Sequence, residues 1–457
     1  MPLNILPCTI GIVKSEFTQS GRPTIWKTRD RDIEFGINYP IFDNSGVYTF
    51  TGFNDNVNLN STWGGVNSAG FAIANANAND LQGTSSTNNG VLIRRSLRNY
   101  ESLTEFEAYL NSTNEVGRNT RGNFAVFDRF GNEAMYEIGS NEWWKYDLND
   151  NENGYIVRTN FAFQGEPEYE NPRYIRSNSI ISHLVATRSM NVENLINFHF
   201  RDFSDEESNA YDIPFLSYTN GYFGYIDNRN SICRNTSTGA IILEGINSEG
   251  EIPVMWTLSG FPAVTPVIPY IPFPFFIDYE RIPYRAIDLK EQLMPINPYL
   301  INTLHFLKTD NTGIWNILRS FETEIINDFN IMYSSENFLY YYPGWLAFTE
   351  ANAYDIMNDM TSDADIEIVP HPFKIISTYP NPNKNGFFIK AMHNFVSDYT
   401  IEIYNIKGQL VHQERHPKTK NISELKITYN DIYTSGIYIV RVTDLENTFI
   451  TKTIRLK

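Results

Sequence analysis

The chain has two cysteines in 457 residues, Cys8 and Cys233. No disulfide framework can staple it, so the fold must rest on apolar cores. A hydrophobic content of 42%, with 14% aromatic residues, is ample for that. Basic residues are also scarce. Lys and Arg number 36 against 53 Asp and Glu, for a net charge of −17. That balance argues against a face for nucleic-acid phosphates, which needs net positive charge. No apolar run approaches the ~20 residues of a membrane span. The most apolar region, 262–276, is broken by Pro266, Pro269, Pro272 and Pro274. It is expected to run extended, over a sheet or along a pocket. The seven histidines are scattered, without metal-ligand spacing, and no internal repeat is present.

What the chain does have begins at Cys8. The run Cys8-Thr9-Ile10-Gly11-Ile12-Val13 is an apolar strand pattern. A Gly21-Arg22-Pro23 turn follows, then Thr24-Ile25-Trp26 and the polar cluster Lys27-Thr28-Arg29-Asp30. A hairpin over this stretch folds Lys27, Arg29 and Asp30 back towards Cys8. Removal of the residues before Cys8 would put a thiol and a free α-amine on one residue. The amine can then act as general base through a short water bridge. A nearby cation favours the thiolate, the reactive form. The same segment also reads as a small buried thiol on a strand. A Cys8–Cys233 disulfide would abolish the nucleophile; the reading carried forward is an unpaired, buried Cys233.

Two further segments fit the nucleophile reading. Residues 63–80 contain Gly65, Asn67 and Gly70 in a turn, then a strand ending in Asn75, Asn77 and Asn79. Residues 154–161 read Gly-Tyr-Ile-Val-Arg-Thr-Asn-Phe. With the Cys8 hairpin, these resemble the N-terminal-nucleophile amidohydrolases, of the choloylglycine hydrolase and acyl-CoA:6-aminopenicillanic acid acyltransferase branch, over roughly residues 8–270. The resemblance implies a four-layer αββα sandwich, maturation to an N-terminal cysteine by signal-peptidase cleavage or by autoprocessing at Pro7–Cys8, a small-molecule amide substrate and no cofactor. It implies Cys8 as nucleophile and Asp30 near its α-amine. It gives Asn77 as donor to the oxyanion, with Asn75 as the near-register alternative. Asn160 is the second site asparagine, and Arg176 a late site arginine. Lys27 stands where many members carry Arg or Gln. Lys27 and Asn75 are assigned to the substrate side of the site. A preorganised amide N–H aimed at an oxyanion contributes on the order of 3 kcal/mol. Plainer readings stand beside these. Asn77 also suits a turn or cap, Asp30 a surface ion pair, and Arg158 a salt-bridged strand position.

The C-terminal segment differs in kind. Tyr379-Pro380-Asn381-Pro382 opens it. Ile403-Tyr404-Asn405, Gly408-Gln409-Leu410-Val411 and Ser435-Gly436-Ile437-Tyr438-Ile439-Val440-Arg441-Val442 follow. Short alternating strands at this spacing read as a small β-sandwich. The segment resembles the C-terminal sorting domain of type IX secretion in Bacteroidetes-type bacteria. Over 375–457 there are 11 Lys and Arg and 7 Asp and Glu, about +4, which leaves about −21 for the rest. The change of sign suits a separate address domain. The resemblance implies export through the periplasm, the type IX machinery as partner, and a secreted or cell-surface protein. Such cargo needs a signal peptide. Met1 to Pro7 lacks a basic n-region and is too short for an apolar h-region, so either the true start lies upstream or a leader has been trimmed.

At ~150 residues per domain, the length allows two or three domains. The expected layout is a leader remnant or propeptide at 1–7, a catalytic domain at 8–350, a linker at 351–374 and the sorting domain at 375–457. Ser102 and Glu105 form a capping box ahead of a helix to residue 111. Helical spacing covers 286–309 and 313–333. Strands are expected at 123–128, 134–138, 155–158, 240–243 and 254–258. The functional expectation is a secreted hydrolase of linear amides working through a thioester, with acyl transfer as a variant. The alternative is an inactive domain of the same fold used for surface binding.

Overall fold

The structure is a computed structural model. It describes residues 8–30, 37–55, 60–82, 88–204, 225–247, 251–274, 280–293, 300–302, 305–306 and 313–360. In the tail it describes 373–379, 386–393, 398–405, 409–417, 423–428, 436–443 and 448–455. The chain forms two compact units, Met1–Ser362 and Asp363–Lys457.

β1 (Thr9–Val13) is rich in β-branched residues and buried along its whole length, as a strand covered on both faces must be. It pairs with β2 (Thr24–Asp30) in the expected hairpin, Thr9 opposite Thr28 and Ile10 opposite Lys27. A Cβ on Gly11 would overlap the Trp26 indole, so that strand position has to be glycine. β10 (Tyr155–Arg158), β12 (Ser237–Glu244), β13 (Val254–Ser259) and β14 (Ile268–Tyr270) complete a six-stranded antiparallel sheet, in the order β10-β1-β2-β12-β13-β14. The proline-broken region thus adds the edge strand β14, where a missing N–H is tolerated.

A second sheet runs in chain order through β3 (Asn38–Asp43), β4 (Phe50–Asp55), β5 (Gly64–Asn67), β6 (Ala72–Asn77), β7 (Gly122–Phe127), β8 (Glu133–Ile138) and β9 (Trp143–Asp147). Its inner face carries Ala72, Ala74, Ala76 and Ala125, in one core with Ile10, Ile12 and Trp26 of the first sheet. These small side chains let the two sheets approach. Its outer face carries Phe50, Ile73, Phe124 and Val126, which bury against α1 (Asn89–Asn99) and α2 (Leu103–Thr113). On the far side of the first sheet, α3 (Pro172–Ala186) lies against β10 and β1. α4 (Val192–Asn194) follows and runs on as a π-helical turn to Phe200. α5 (Arg281–Leu293) contacts β13, and α7 (Phe338–Asp359) contacts β14 and α6 (Ile314–Tyr333). The layers are helix, sheet, sheet, helix, the expected αββα sandwich.

Half of the capping box forms: Ser102 Oγ accepts from the Glu105 N–H at 3.3 Å. The Glu105 carboxylate reaches one residue further back, to the Glu101 N–H at 2.8 Å. Two expectations are corrected. The helix placed at 286–309 is α5, ending at Leu293, and β15 (Leu300–Asn302) pairs with β11 (Tyr225–Asp227). Pro295 and Pro298 cannot continue a helix. The linker placed at 351–374 instead begins inside α7, which runs as far as Asp359. Phe338, Tyr342, Leu346, Ala353 and Met357 form one buried helical stripe there.

The second unit has two antiparallel sheets. β16 (Phe373–Tyr379), β17 (Gly386–His393) and β20 (Ser423–Thr428) form one. β19 (Leu410–His416), β18 (Tyr399–Asn405), β21 (Gly436–Thr443) and β22 (Thr448–Arg455) form the other. Ile401, Ile403, Val440 and Val442 alternate inward from β18 and β21, the period-two pattern of a half-buried sheet.

Candidate active site

Cys8 lies just ahead of β1 and is 2% exposed. Its main-chain N–H donates to Asn160 Oδ1 at 2.8 Å. The other end of the same carboxamide, Nδ2, donates to the Asn77 carbonyl at 3.0 Å. One side chain therefore ties the head of β1 to the end of β6. Arg173 closes the cradle. Its Nη1 donates to the Cys8 carbonyl at 3.0 Å and its Nη2 to Asn160 Oδ1 at 3.2 Å. The orientation of the Asn160 carboxamide follows from its main-chain partners: an N–H can only donate and a carbonyl can only accept.

The segment carrying Asn160 is clamped by two carboxylates. Glu137, fully buried on β8, accepts from Arg158 Nε at 2.8 Å, the Phe163 N–H at 2.9 Å and the Gln164 N–H at 3.0 Å. Asp80 accepts from the Ala162 N–H at 2.9 Å and the Glu166 N–H at 2.9 Å. Asn123 Nδ2 holds the Thr159 and Phe161 carbonyls, at 3.1 and 2.8 Å. Arg158 also stacks on Phe163, 3.6 Å from the ring centroid. It is a salt-bridged strand residue, as one sequence reading had it.

The polar end of β2 is wholly buried. The Lys27 ammonium donates to the Asn75 main-chain carbonyl and lies 3.4 Å from Asn75 Oδ1. Burial pulls Lys27 down to about 8, against the opposing pull of Cys8 and Asp30. Asp30 accepts from Ser237 Oγ at 2.8 Å and faces Arg234 across 3.8 Å. Burial raises its carboxyl, while Arg234 and Arg173 pull it back down. Neither residue is a surface ion pair. Ser237 also lines a small cleft with Ile37, Asn38, Thr238, Phe261 and Lys290.

Asn75 and Asn77 thus have separate partners, Asn75 taking Lys27 and Asn77 taking Asn160. Arg176 points elsewhere, pairing with Asp202 at 2.8 and 3.0 Å. The arginine on Cys8 is Arg173 of the same Arg173-Tyr174-Ile175-Arg176 run. Cys8 and Cys233 are both free and buried, and burial pushes the Cys233 thiol well up. Among the described residues no group of His, Cys, Asp and Glu is set to hold a metal, and no helix is long and apolar enough to cross a membrane.

Residues 19–230 match the family described as acyl-coenzyme A:6-aminopenicillanic acid acyl-transferase. Residues 377–456 match the secretion system C-terminal sorting domain. The first match lies within the first unit and the second within the second. Cys8 lies ahead of the matched family segment. A search of curated proteins gives no match. Among solved structures, a variant of conjugated bile acid hydrolase from Clostridium perfringens is similar at 12% identity and a TM-score of 0.32, over 58% of this chain and 92% of that one. Penicillin V acylase from Agrobacterium tumefaciens is similar at 12% identity and a TM-score of 0.33, over 58% of this chain and 86% of that one.

Proposed function

We propose that this protein is a hydrolase of linear amides, exported by type IX secretion, with Cys8 as an N-terminal nucleophile. The observation that carries the reading is the cradle around Cys8. Asn160 takes the Cys8 nitrogen, Arg173 takes its carbonyl, and Asn160 is tied in turn to Asn77. These bonds hold the two Cys8 main-chain groups that lie ahead of the β1 ladder, as buried backbone groups require, and so fix the nitrogen that the mechanism uses.

The chemistry follows from the atoms. Once the peptide bond before Cys8 is cut, its nitrogen is an amine, already hydrogen-bonded to Asn160 Oδ1. The amine takes the thiol proton, and the thiolate attacks the substrate carbonyl carbon. Charge collects on the carbonyl oxygen, where the Asn77 carboxamide donates. The α-ammonium returns its proton to the leaving amine as the C–N bond breaks. A thioester remains on Cys8, and water attacks it with the α-amine again taking the proton. An amine in place of water gives acyl transfer. The buried charge of Lys27 supports the thiolate.

Two measurements test this. Mass spectrometry of the secreted protein is expected to find Cys8 as the first residue. Cys8→Ala is expected to abolish turnover of an amide that the wild type cleaves, with folding and secretion unchanged; Cys8→Ser is expected to be greatly slowed. Undiminished turnover by Cys8→Ala rules the mechanism out. One observation favours a second reading, an inactive binding domain: Cys8 is almost fully enclosed. A secreted protein that keeps its residues ahead of Cys8 would support that reading instead.

A further inference from the structure

The Asn77 carboxamide can serve an oxyanion only if its N–H2 end points at the substrate. A carboxamide has two nearly isosteric orientations, so something must choose between them. The choice can be traced outward from groups whose roles are fixed. Asn89 is fully buried on the first turn of α1. Its Oδ1 accepts from the Arg121 main-chain N–H at 3.0 Å, and its Nδ2 donates to the Arg121 carbonyl at 2.8 Å. Those two partners are backbone groups, so Asn89 has only one orientation that satisfies both. Its second Nδ2 hydrogen then meets Asn77 Oδ1 at 2.9 Å. Turning Asn77 over would set two N–H2 groups against each other.

The space for this device is also built in. Gly122 lies opposite Asn77 in the strand register. A Cβ at Gly122 would stand 2.9 Å from Asn89 Nδ2 and 2.9 Å from the Ala76 carbonyl. Any larger residue there would press on Asn89.

We propose that Asn89 is a positioning residue that fixes the orientation of the Asn77 carboxamide, holding its oxygen towards α1 and leaving its N–H2 end as the donor. This rests on the reading of Asn77 as an oxyanion donor. Asn89 itself touches no substrate. The Arg121 backbone sets Asn89, and Asn89 sets Asn77.

The test uses the full chain with four variants: Asn89→Asp, Gly122→Ala, Asn77→Ala and the double variant Asn77→Ala/Asn89→Asp. An aspartate at 89 can still accept from the Arg121 N–H but cannot donate to Asn77. The probes are the 4-nitroanilides of octanoic and phenylacetic acid. Asn89→Asp and Gly122→Ala are expected to lose about 10²-fold in kcat with little change in KM, the pattern of a donor missing from the transition state alone. In the Asn77→Ala background, Asn89→Asp is expected to cost nothing further. A second readout needs no turnover. The Asn77 side-chain N–H2 signals, assigned by their loss in Asn77→Ala, are expected to move in Asn89→Asp as the amide turns to donate to the new carboxylate. Unmoved signals overturn the proposal. So does wild-type kcat in Asn89→Asp, or an equal extra loss with Asn77 already removed. A wild type that cleaves neither probe counts against the amidase reading of the site, and the amide signals then decide on Asn89 alone.

Discussion

At the scale of single residues, the site depends on polar groups held out of water, and Lys27 is the plainest case. Its ammonium titrates near 8 in the folded protein, because burial penalises the charge. In the unfolded chain it titrates near ~10.4. Between those values the unfolded state holds more protons, so stability rises with pH across that window. The rise is on the order of 3 kcal/mol. Lys27→Met has no amine to titrate and is expected to lack it. Urea midpoints of both proteins at pH 7.5 and pH 10 check this, and an identical rise in both would show that Lys27 is not its source. Asn77→Ala is expected to slow amide turnover by about 10²–10³-fold if it supplies one oxyanion donor. At this scale the sequence was only partly legible. Cys8 and Asn160 stand at strand ends in recognisable runs. Arg173 and Arg176 are three residues apart on one helix, so spacing alone cannot say which of them meets β1. Asn89 gave no signal, because its Thr87-Asn88-Asn89-Gly90 surroundings read as a loop.

At the scale of elements, the question is what keeps strand ends and connecting segments in register. Glu137 is the anchor between β8 and the segment after β10, gathering two side chains, Arg158 and Tyr146, and two backbone donors at one buried carboxylate. Glu322 on α6 plays a comparable part away from the site, taking Arg201 at 2.7 and 2.8 Å and the Val267 N–H at 3.0 Å. Breaking a buried pair by removing one partner costs about 3–5 kcal/mol. Glu137→Gln and Glu322→Gln are therefore both expected to destabilise the protein, each by about 3 kcal/mol on denaturant titration. Only Glu137→Gln is expected to lower kcat as well, because only that clamp holds Asn160. Equal kcat in the two variants would separate the clamp from the site. The elements themselves were mostly legible. β10 and α6 lie where period and composition put them, since each buries a clean apolar pattern. α7 was missed because Pro343 and the Tyr340-Tyr341-Tyr342 run hide its stripe. A proline six residues into a helix reads as a stop, although packing on α6 and β14 holds the helix together.

At the scale of the whole molecule, the chain divides into two compact units. The charge changes sign along the chain, and the compact units part after Ser362. Deleting 363–457 is expected to leave a folded core with wild-type amidase activity that stays inside the cell. Activity assays on the purified core and detection of the protein in the medium check the two halves independently. Export of the truncated chain would remove the tail from the account of secretion. The first unit holds one last consequence, in the Cys8 nitrogen. The β1 ladder begins at Thr9, and the hydrogen bond of the Cys8 nitrogen goes to a side chain instead. Exchanging that amide for an amine therefore costs the sheet no rung. Cut and uncut chains are expected to keep the same strand ladder, so maturation would leave no mark on the sheet and would have to be followed chemically.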